Sequence, residues 1–465
     1  MAKKKNLGAT AEFRIRRKKK NGLKLWQKFI IGLCGTVLSL IVIAVIVLGG
    51  AIWYFQNHDV TSSIDEGDTE SELLLPPPDV SDDNDELDND VPSYKRKEDT
   101  YTFLILGSDR AKWLTDVIMI ATYDTVNQKF AIMQIPRDTY VMVNSKLLTD
   151  EDGNITYDNF DGKGDYGCKL NSVVWHGGSL AGKELSRITS LARDTDKDSE
   201  LDKICEESFL NLTTEELKSY LNSNGKEKNN LEYNIKLKFG IKYLTALLAR
   251  SFGTPIDFYA QLNLDGFVNI VNAIGGVDVY IQEDMDYEDP LQDPPLKIHL
   301  KKGMQHLDGK KAEQFIRFRY GYAAADIARI DAQKIFMTAF IKKVVSLEGI
   351  ANIDKLITEV ISNLTTNLSI TDTGFFGTQV FELDFNNIVM LTLPGWPLYV
   401  DGVSYYSVDK DSMMQTVNDY LNKYTEPLTE EYFCAIEAGP GTNYTTPPLT
   451  AEEIQNEQPD LGFMY

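Results

Sequence analysis

Two aspartates and an arginine flank short β-rich runs and could form one charged site. Asp109 and Asp116 precede the run 117–123, and Arg137 follows the run 129–135. A hairpin of seven residues out and seven back returns the chain to the edge it left, so the spacing predicts Arg137 beside Asp116. Two carboxylates suit Mg²⁺, which binds one or two protein carboxylates together with water and phosphate oxygens. For each residue alone, a strand-end ion pair or cap is the alternative interpretation.

A second group of charged residues lies further along the chain. Arg317 and Arg319 are two residues apart, so an extended chain would point both guanidiniums to one face. Asp326, Arg329 and Gln333 follow at helical spacings that share one stripe, and apolar residues continue that stripe. This pattern predicts a buried helix whose start opens into a polar cleft. Converging arginines favour an anion rich in oxygen, such as pyrophosphate; a network of arginines and carboxylates is the alternative.

Composition argues against several other classes of function. The 465-residue chain has 47 Lys and Arg against 69 Asp and Glu, a net charge of -22, unlike a protein that binds nucleic acid through a broad basic surface. Four histidines without a GxSxG elbow argue against a Ser-His-Asp hydrolase. Four cysteines without a CxxC pair indicate neither a zinc site nor a disulfide scaffold.

The charge is distributed unevenly and predicts a membrane topology. Residues 1–28 carry +10, residues 59–99 carry -12 and residues 425–465 carry -8, while 29–55 is an uncharged apolar stretch. A run of this length is long enough to cross a bilayer as a helix, and the basic residues before it place the amino terminus in the cytoplasm. A cleaved signal peptide is disfavoured because its apolar core is usually shorter. We therefore expect a single-pass protein of the cell membrane with an extracellular body.

The sequence after residue 99 predicts an α/β fold. It has a central, mainly β-sheet core that is covered by helices and preceded by the single transmembrane helix. The predicted elements are strands at 101–106, 117–123, 129–135, 258–263 and 277–281, and helices at 237–251, 266–274 and 323–347. Between them, 179–233 is a polar surface insertion with one helix at 214–222. The predicted organisation is a basic cytoplasmic tail (1–28), a transmembrane helix (29–55), an acidic extracellular spacer (56–99), a globular domain (100–424) and an acidic, loosely ordered C-terminal extension (425–465).

Several motifs, in this order, make the sequence similar to the LytR-CpsA-Psr (LCP) family of Gram-positive cell envelopes. They are LILGSD (104–109), TDVIMIATYD (115–124), IPRDTYV (135–141), KLN (169–171) followed by Gly-Gly (177–178), LDGFVNIVNAIGGVDV (264–279), GMQHLDGKKAEQFIRFR (303–319) and DIARIDAQ (326–333). The similarity covers about residues 101–424, which would then be the LCP catalytic domain.

The resemblance implies a phosphotransferase of cell wall biogenesis. Such an enzyme moves a glycopolymer, such as teichoic acid or capsule, from a polyprenyl-pyrophosphate carrier to a peptidoglycan hydroxyl and forms a phosphodiester. By motif, Asp109 and Asp116 match Mg²⁺-associated aspartates. The resemblance assigns catalysis and pyrophosphate or substrate binding to Asp116, Arg137, Lys169, Arg317, Arg319, Asp326, Arg329 and Gln333.

Some features depart from the family pattern and leave alternatives open. The loop between Asp109 and Asp116 is short, Ala332 replaces an arginine common in relatives, and the insertion 179–233 is longer than expected. A hydrolase of the lipid pyrophosphate, or a wall-binding or regulatory anchor without turnover, are the alternative functions. Phe336, Phe340 and Leu247 could line a slot for the lipid tail or simply pack in the core.

Overall fold

The computed structural model describes residues 96–147, 164–195, 197–292, 295–318, 325–345, 363–369, 372, 375–376, 385–434, 449–450 and 453–454. The predicted tail, transmembrane span and most of the predicted spacer lie outside these residues. In the part of the chain that is described, none of the helices is both long enough and apolar enough to span a bilayer.

The strands are β1 (Thr100–Ser108), β2 (Thr115–Asp124), β3 (Lys129–Ile135), β4 (Tyr140–Val143), β5 (Tyr166–Lys169), β6 (Phe258–Asn263), β7 (Val277–Ile281), β8 (Met285–Asp289), β9 (Leu296–Leu300), β10 (Gly303–Leu307), β11 (Leu364–Thr366), β12 (Ile388–Thr392), β13 (Gly395–Val400), β14 (Val403–Val408) and β15 (Leu449–Thr450). The α-helices are α1 (Val173–Leu191), α2 (Asp198–Glu206), α3 (Thr214–Asn222), α4 (Gly225–Phe252), α5 (Leu264–Ala273), α6 (Gly309–Arg317), α7 (Ala325–Val345) and α8 (Lys410–Thr416). Single 3₁₀ turns lie at Leu170–Ser172, Ala192–Asp194, Phe385–Asn387 and Glu430–Tyr432, and a π-helical turn lies at Val417–Leu421.

A seven-stranded mixed sheet forms the centre, in the order β11-β6-β1-β2-β3-β12-β15. β2 is antiparallel to both β1 and β3, whereas β6 is parallel to β1 and β12 is parallel to β3. The carboxyl ends of β1, β3, β6 and β12 therefore meet at one end of the sheet, together with the amino end of β2. Ligands of open α/β sheets bind at this end.

Both faces of the sheet are apolar because alternate residues of each central strand point to opposite sides. Phe103, Ile105 and Met119 pack in a core with residues of α5, α6 and α7. Leu104 and Ile118 pack in a second core with residues of α1, α4 and α8. The result is a three-layer α/β/α arrangement, and the α/β prediction is confirmed.

Two of the four two-stranded sheets outside the main sheet contribute to the candidate site. The short hairpins β4–β5 and β13–β14 are antiparallel ribbons that extend from the carboxyl end of the sheet. The backbone N–H of Tyr406 in β14 donates to the carbonyl of Asp138 at 2.9 Å, and Leu170 N–H donates to Thr139 at 2.8 Å. These bonds attach both ribbons to the chain directly after β3.

The insertion 179–233 was predicted to be a polar surface stretch with one helix. The structure instead shows three helical segments followed by the start of α4. Its predicted helix 214–222 is confirmed as α3, which begins with a capping box at Thr213 and Glu216. The insertion starts inside α1, which continues past Gly178 and packs closely on α4 at Gly177 and Gly240. A Cβ at Gly240 would lie 2.2 Å from the Val174 carbonyl oxygen, so glycine permits this contact.

The region after residue 424 was expected to be loosely ordered, and for several of its residues this expectation is wrong. Leu428, Tyr432 and Phe433 are buried in the core beside α4. β15 pairs with β12 at the edge of the sheet, and Ile454 is buried in the opposite core. These apolar residues lie among acidic ones, and their burial holds this part of the chain against the globular domain.

Candidate functional site

Asp116 and Arg137 meet at the carboxyl end of the sheet, as the hairpin spacing predicted. Ile118 pairs with Ile135 in the β2–β3 ladder, which brings the residues just outside it together. Arg137 Nη1 donates to Oδ1 of Asp116, and Arg137 Nε lies 3.8 Å from Oδ1 of Asp138. The Arg137 side chain is 15% exposed and the Asp116 side chain 37%. The pair is therefore half-enclosed and reachable from solvent.

Asp109 begins the loop that joins β1 to β2. The backbone N–H groups of Trp113 and Leu114 donate to its Oδ1 at 2.9 and 3.2 Å. Burial raises the pKa of Asp109, and the charge of Asp116 adds to this, although the backbone hydrogen bonds oppose it. The two carboxylates are therefore close enough for their charges to interact.

Lys169 joins the same cluster from β5. Its Nζ lies 3.1 Å from Oδ1 of Asp138 and 5.8 Å from the centre of the Tyr405 ring. The backbone N–H of Asn171 donates to the carbonyl of Arg137 at 3.0 Å, which fixes the two basic residues side by side. Asp138 was not predicted as a site residue, although it directly follows Arg137 in the IPRDTYV motif. Its carboxylate lies next to two cations, the side chains of Arg137 and Lys169.

Arg317 lies at the end of a helix, so the prediction of an extended Arg317–Arg319 segment is wrong at Arg317. Asp308 caps α6 by accepting from the Lys311 N–H at 2.9 Å, and the helix continues to Arg317 before Phe318 turns extended. Within the helix, Arg317 Nη1 donates to Glu313 Oε1 at 2.9 Å. Arg319 lies outside the described residues.

Glu313 and Arg110 are site residues that sequence reasoning missed. Arg110 Nη2 donates to the same Glu313 Oε1 at 2.9 Å, and Arg110 Nε donates to Asp265 Oδ1 at 2.8 Å. Burial by itself raises the pKa of Glu313, but Arg110, Lys310 and Arg317 together hold it below its ordinary value. Because Arg110 follows Asp109 directly, this network connects the aspartate loop to Arg317.

Gln333 lies on α7, on the side that faces β3. Its side chain is buried, accepts from the Gln134 amide on β3 and donates to the Ile316 carbonyl at 3.4 Å. Three residues of the predicted stripe, Gln333, Met337 and Phe340, are buried. Burial includes every residue from 332 to 340, so this stretch is enclosed on all sides and does not show a single buried stripe. Asp326 and Arg329 lie in the helical backbone of α7, and their side chains are outside the described part of the structure.

A small apolar pocket lies between the end of β3, strand β4 and the end of α4. Its walls include Ile135, Tyr140, Leu170, Leu247 and Phe252. Leu247, one of the three residues suggested for a lipid slot, lines this pocket but is itself buried in the core on that side of the sheet. The other two residues named for that role, Phe336 and Phe340, pack instead in the core on the opposite face.

The carboxylates fit a hard divalent cation. The bond to Arg137 uses Oδ1 of Asp116, and Oδ1 of Asp109 accepts the two loop N–H groups, whereas each ionised carboxylate has about four acceptor positions. No group of three or more His, Cys, Asp or Glu in the described residues could hold a metal ion. A cation held by Asp109 and Asp116 would therefore take its other ligands from water and phosphate, as Mg²⁺ commonly does.

Comparison with known proteins identifies the family. The model of the LytR_cpsA_psr family matches residues 78–180 and 181–422. The chain is 31% identical over 174 residues to the polyisoprenyl-teichoic acid–peptidoglycan teichoic acid transferase TagV of Bacillus subtilis, covering 36% of this chain and 44% of TagV. It is 31% identical over 180 residues to the TagU transferase of Bacillus cereus, covering 38% of this chain and 56% of TagU.

The matched stretch thus spans about half the length of these curated relatives. Among solved structures, B. subtilis TagV superimposes with a TM-score of 0.43 at 22% identity, covering 70% of this chain and all of that one. The two matches to the family model together span most of the globular region, including every candidate residue discussed above. The chain belongs to the LytR-CpsA-Psr family.

Proposed function

We propose that the protein is a phosphotransferase that moves a glycopolymer from a polyprenyl-pyrophosphate carrier to a peptidoglycan hydroxyl. The observation that carries the proposal is the cluster of Arg137 and Lys169 around Asp116 and Asp138 at the carboxyl end of the sheet. The matched relatives are named as transferases of teichoic acid to peptidoglycan, and these names support the same class of reaction. Teichoic acid is accordingly the first polymer to test.

In the proposed reaction, the acceptor hydroxyl oxygen attacks the phosphorus atom that carries the glycopolymer. A new P–O bond forms, the bond to the bridging pyrophosphate oxygen breaks, and polyprenyl phosphate leaves. Arg137 and Lys169 would neutralise the charge that grows on the phosphoryl oxygens and the leaving group. The hydroxyl proton would pass to the carboxylate of Asp116.

Mg²⁺ is part of this proposal. Asp109 and Asp116 would hold the cation, which would supply positive charge next to the pyrophosphate oxygens. Arg317 would contribute a further guanidinium from the end of α6, oriented by Glu313. Arg319, Asp326, Arg329 and Gln333 remain predicted substrate-binding residues by motif.

A lipid-linked substrate agrees with the predicted span at 29–55. We propose that this span anchors the protein in the cell membrane, with the catalytic domain on the extracellular side.

The test uses the full-length protein in lipid nanodiscs with Mg²⁺, a polyprenyl-pyrophosphate-linked teichoic acid precursor and peptidoglycan oligomers. We expect equimolar release of polyprenyl phosphate and glycopolymer covalently bound to peptidoglycan. Arg137→Ala and Asp116→Ala should abolish both products. Arg193→Ala, which removes an exposed arginine after α1, is the matched control and should leave activity unchanged.

Product analysis separates the alternative functions. Polyprenyl phosphate release with free glycopolymer, and none on peptidoglycan, would identify a hydrolase. Tight binding of the precursor without release would identify a binding or regulatory protein. Either result would overturn the proposed transferase.

A further inference from the structure

The insertion 179–233 touches the loop that carries Asp109. Tyr233, its last residue, lies on α4 and donates from its hydroxyl to the carbonyl of Ala111 at 2.8 Å. Its ring meets the indole of Trp113 edge-to-face, with the ring centroids 5.3 Å apart and the planes at 76°. Both contacts fall on the short connection between β1 and β2. The longest departure from the family pattern therefore reaches the candidate catalytic loop.

The path of this loop decides where the Asp109 carboxylate points. Asp109 Oδ1 accepts from the backbone N–H of Trp113 and of Leu114, and the Asp109 N–H donates back to the Leu114 carbonyl at 2.9 Å. The carboxylate is thus bonded to the same residue whose indole contacts Tyr233. A shift of Trp113 would move the two N–H groups that orient Asp109.

Trp113 is also held from the side of α1 and α4. A Cβ at Gly178 would lie 2.6 Å from Cζ3 of Trp113 and 3.2 Å from the carbonyl oxygen of Lys236. The indole therefore lies directly against the bare backbone of α1, where only glycine leaves room. Trp113 and Tyr233 are both half-buried. Tyr233 and Gly178 therefore enclose the Trp113 side chain from two sides.

We propose that Tyr233 and Trp113 are positioning residues, through which the insertion holds the 109–114 loop so that Asp109 faces Asp116. The catalytic consequence rests on the proposed function, whereas the effect on the loop does not. Reacting groups displaced by about 1 Å can lose about 10²-fold in rate, so an aromatic clamp outside the site can control turnover. The aromatic pair holds a loop that is otherwise exposed at Ala111 and Leu114.

The experiment compares Tyr233→Ala and Tyr233→Phe with Tyr220→Ala and Tyr220→Phe in the full-length protein. Tyr220 is a suitable control because it is a buried tyrosine of the same insertion whose hydroxyl donates to Glu232 at 3.3 Å and whose ring contacts Lys228. Hydrogen–deuterium exchange of peptides covering 107–118 reports on the loop without requiring activity. Transfer kinetics and thermal unfolding are measured on the same samples.

We expect Tyr233→Ala to raise exchange in the loop peptides and to lower kcat by about 10- to 100-fold, with KM for the lipid-linked substrate nearly unchanged. Tyr233→Phe keeps the ring contact and should retain most of the activity. The Tyr220 variants should lower the unfolding temperature without either local effect. Gly178→Ala, whose methyl group would displace the indole, should reproduce the Tyr233→Ala result.

Wild-type exchange in the loop of Tyr233→Ala and Gly178→Ala would overturn the inference, whatever the activity. So would a kcat loss no larger than that of Tyr220→Ala. If the wild-type protein releases no polyprenyl phosphate, the proposed function fails, and exchange alone then decides whether the insertion positions the loop.

Discussion

Arg137 donates from Nη1 to Oδ1 of Asp116 across the open end of the β2–β3 hairpin. The two residues lie 21 positions apart, yet the hairpin register alone is enough to bring them together. A guanidinium that is paired with one carboxylate and adjacent to Asp138 is held in place before any phosphate arrives. Preorganised charge of this kind stabilises a transition state without reorganisation during the reaction.

Replacing Arg137 should reduce turnover more than stability. We expect Arg137→Ala to lower kcat for glycopolymer transfer by about 10²- to 10³-fold, a typical loss for one preorganised donor. Arg137→Lys should recover only part of this loss because an ammonium cannot form the two-pronged contact of a guanidinium. Steady-state kinetics with a lipid-linked precursor measure both variants. Full activity of Arg137→Lys would show that only charge is needed.

Glu313 should stabilise the fold through its two arginines, and this effect should depend on pH. Its side chain is 7% exposed and accepts from Arg110 and Arg317. Removing one partner of a buried ion pair costs about 3–5 kcal/mol, so Glu313→Gln should lower the free energy of unfolding by an amount approaching that range. Its half-exposed arginine partners reduce the loss through solvent screening.

The sign of the pH dependence follows from the lowered pKa of Glu313. Stability from this group is fully present above the ordinary glutamate pKa and is lost as the pH falls through the lowered value in the folded protein. The difference in free energy of unfolding between the wild type and Glu313→Gln, measured by urea titration, should therefore become smaller as the pH is lowered. A difference that is the same at pH 7 and at pH 3 would contradict this account.

Asp109→Asn should raise thermal stability in the absence of metal while removing activity. Burial and the nearby charge of Asp116 raise the pKa of Asp109, so its ionised form is less favourable in the folded than in the unfolded protein. This cost is present at neutral pH and disappears as the pH falls below the unfolded pKa. The asparagine oxygen can still accept from the Trp113 and Leu114 N–H groups.

Added Mg²⁺ should reverse the order of stability of these two proteins. A ligand that binds only the folded state raises the unfolding temperature with its concentration. We expect Mg²⁺ to raise the unfolding temperature of the wild type and to leave that of Asp109→Asn nearly unchanged. Differential scanning fluorimetry with Mg²⁺ and, as an ionic-strength control, Na⁺ measures this. An equal rise for both proteins would place the cation elsewhere.

A sealed ion pair at the opposite end of the sheet should control global stability. Lys423 donates to Asp257, and their side chains are 1% and 0% exposed; Arg96 and the backbone N–H of Thr102 also donate to this carboxylate. Asp257→Ala should cost about 3–5 kcal/mol because it leaves buried cationic groups without their carboxylate. Lys197→Ala, which removes an exposed pair with Glu200, should leave the free energy of unfolding almost unchanged. Urea unfolding distinguishes the two.

The local sequence pattern was sufficient to predict much of the fold and one part of the candidate site, the Asp116–Arg137 pair. Strands β3, β6 and β7 and helix α3 agree with the sequence prediction because short-range periodicity and turn residues encode them. Asp116 and Arg137 belong to one hairpin, so their meeting is also a local property. The prediction at Arg317 failed because a two-residue spacing does not reveal that Asp308 caps a helix before it.

Sequence alone thus determined the α/β class, the hairpin pairing and the motifs that the chain shares with the LytR-CpsA-Psr family. Only the tertiary structure decided which groups surround them. Arg110 meets Asp265 because β6 lies parallel to β1, which places Asn263 and the start of α5 beside Ser108. It meets Glu313 because α6 packs against α5. Tyr233 meets Trp113 because α4 packs across α1 at two glycines. Such partners are more than 100 residues apart, and their contact depends on the packing of whole elements, which no local spacing encodes.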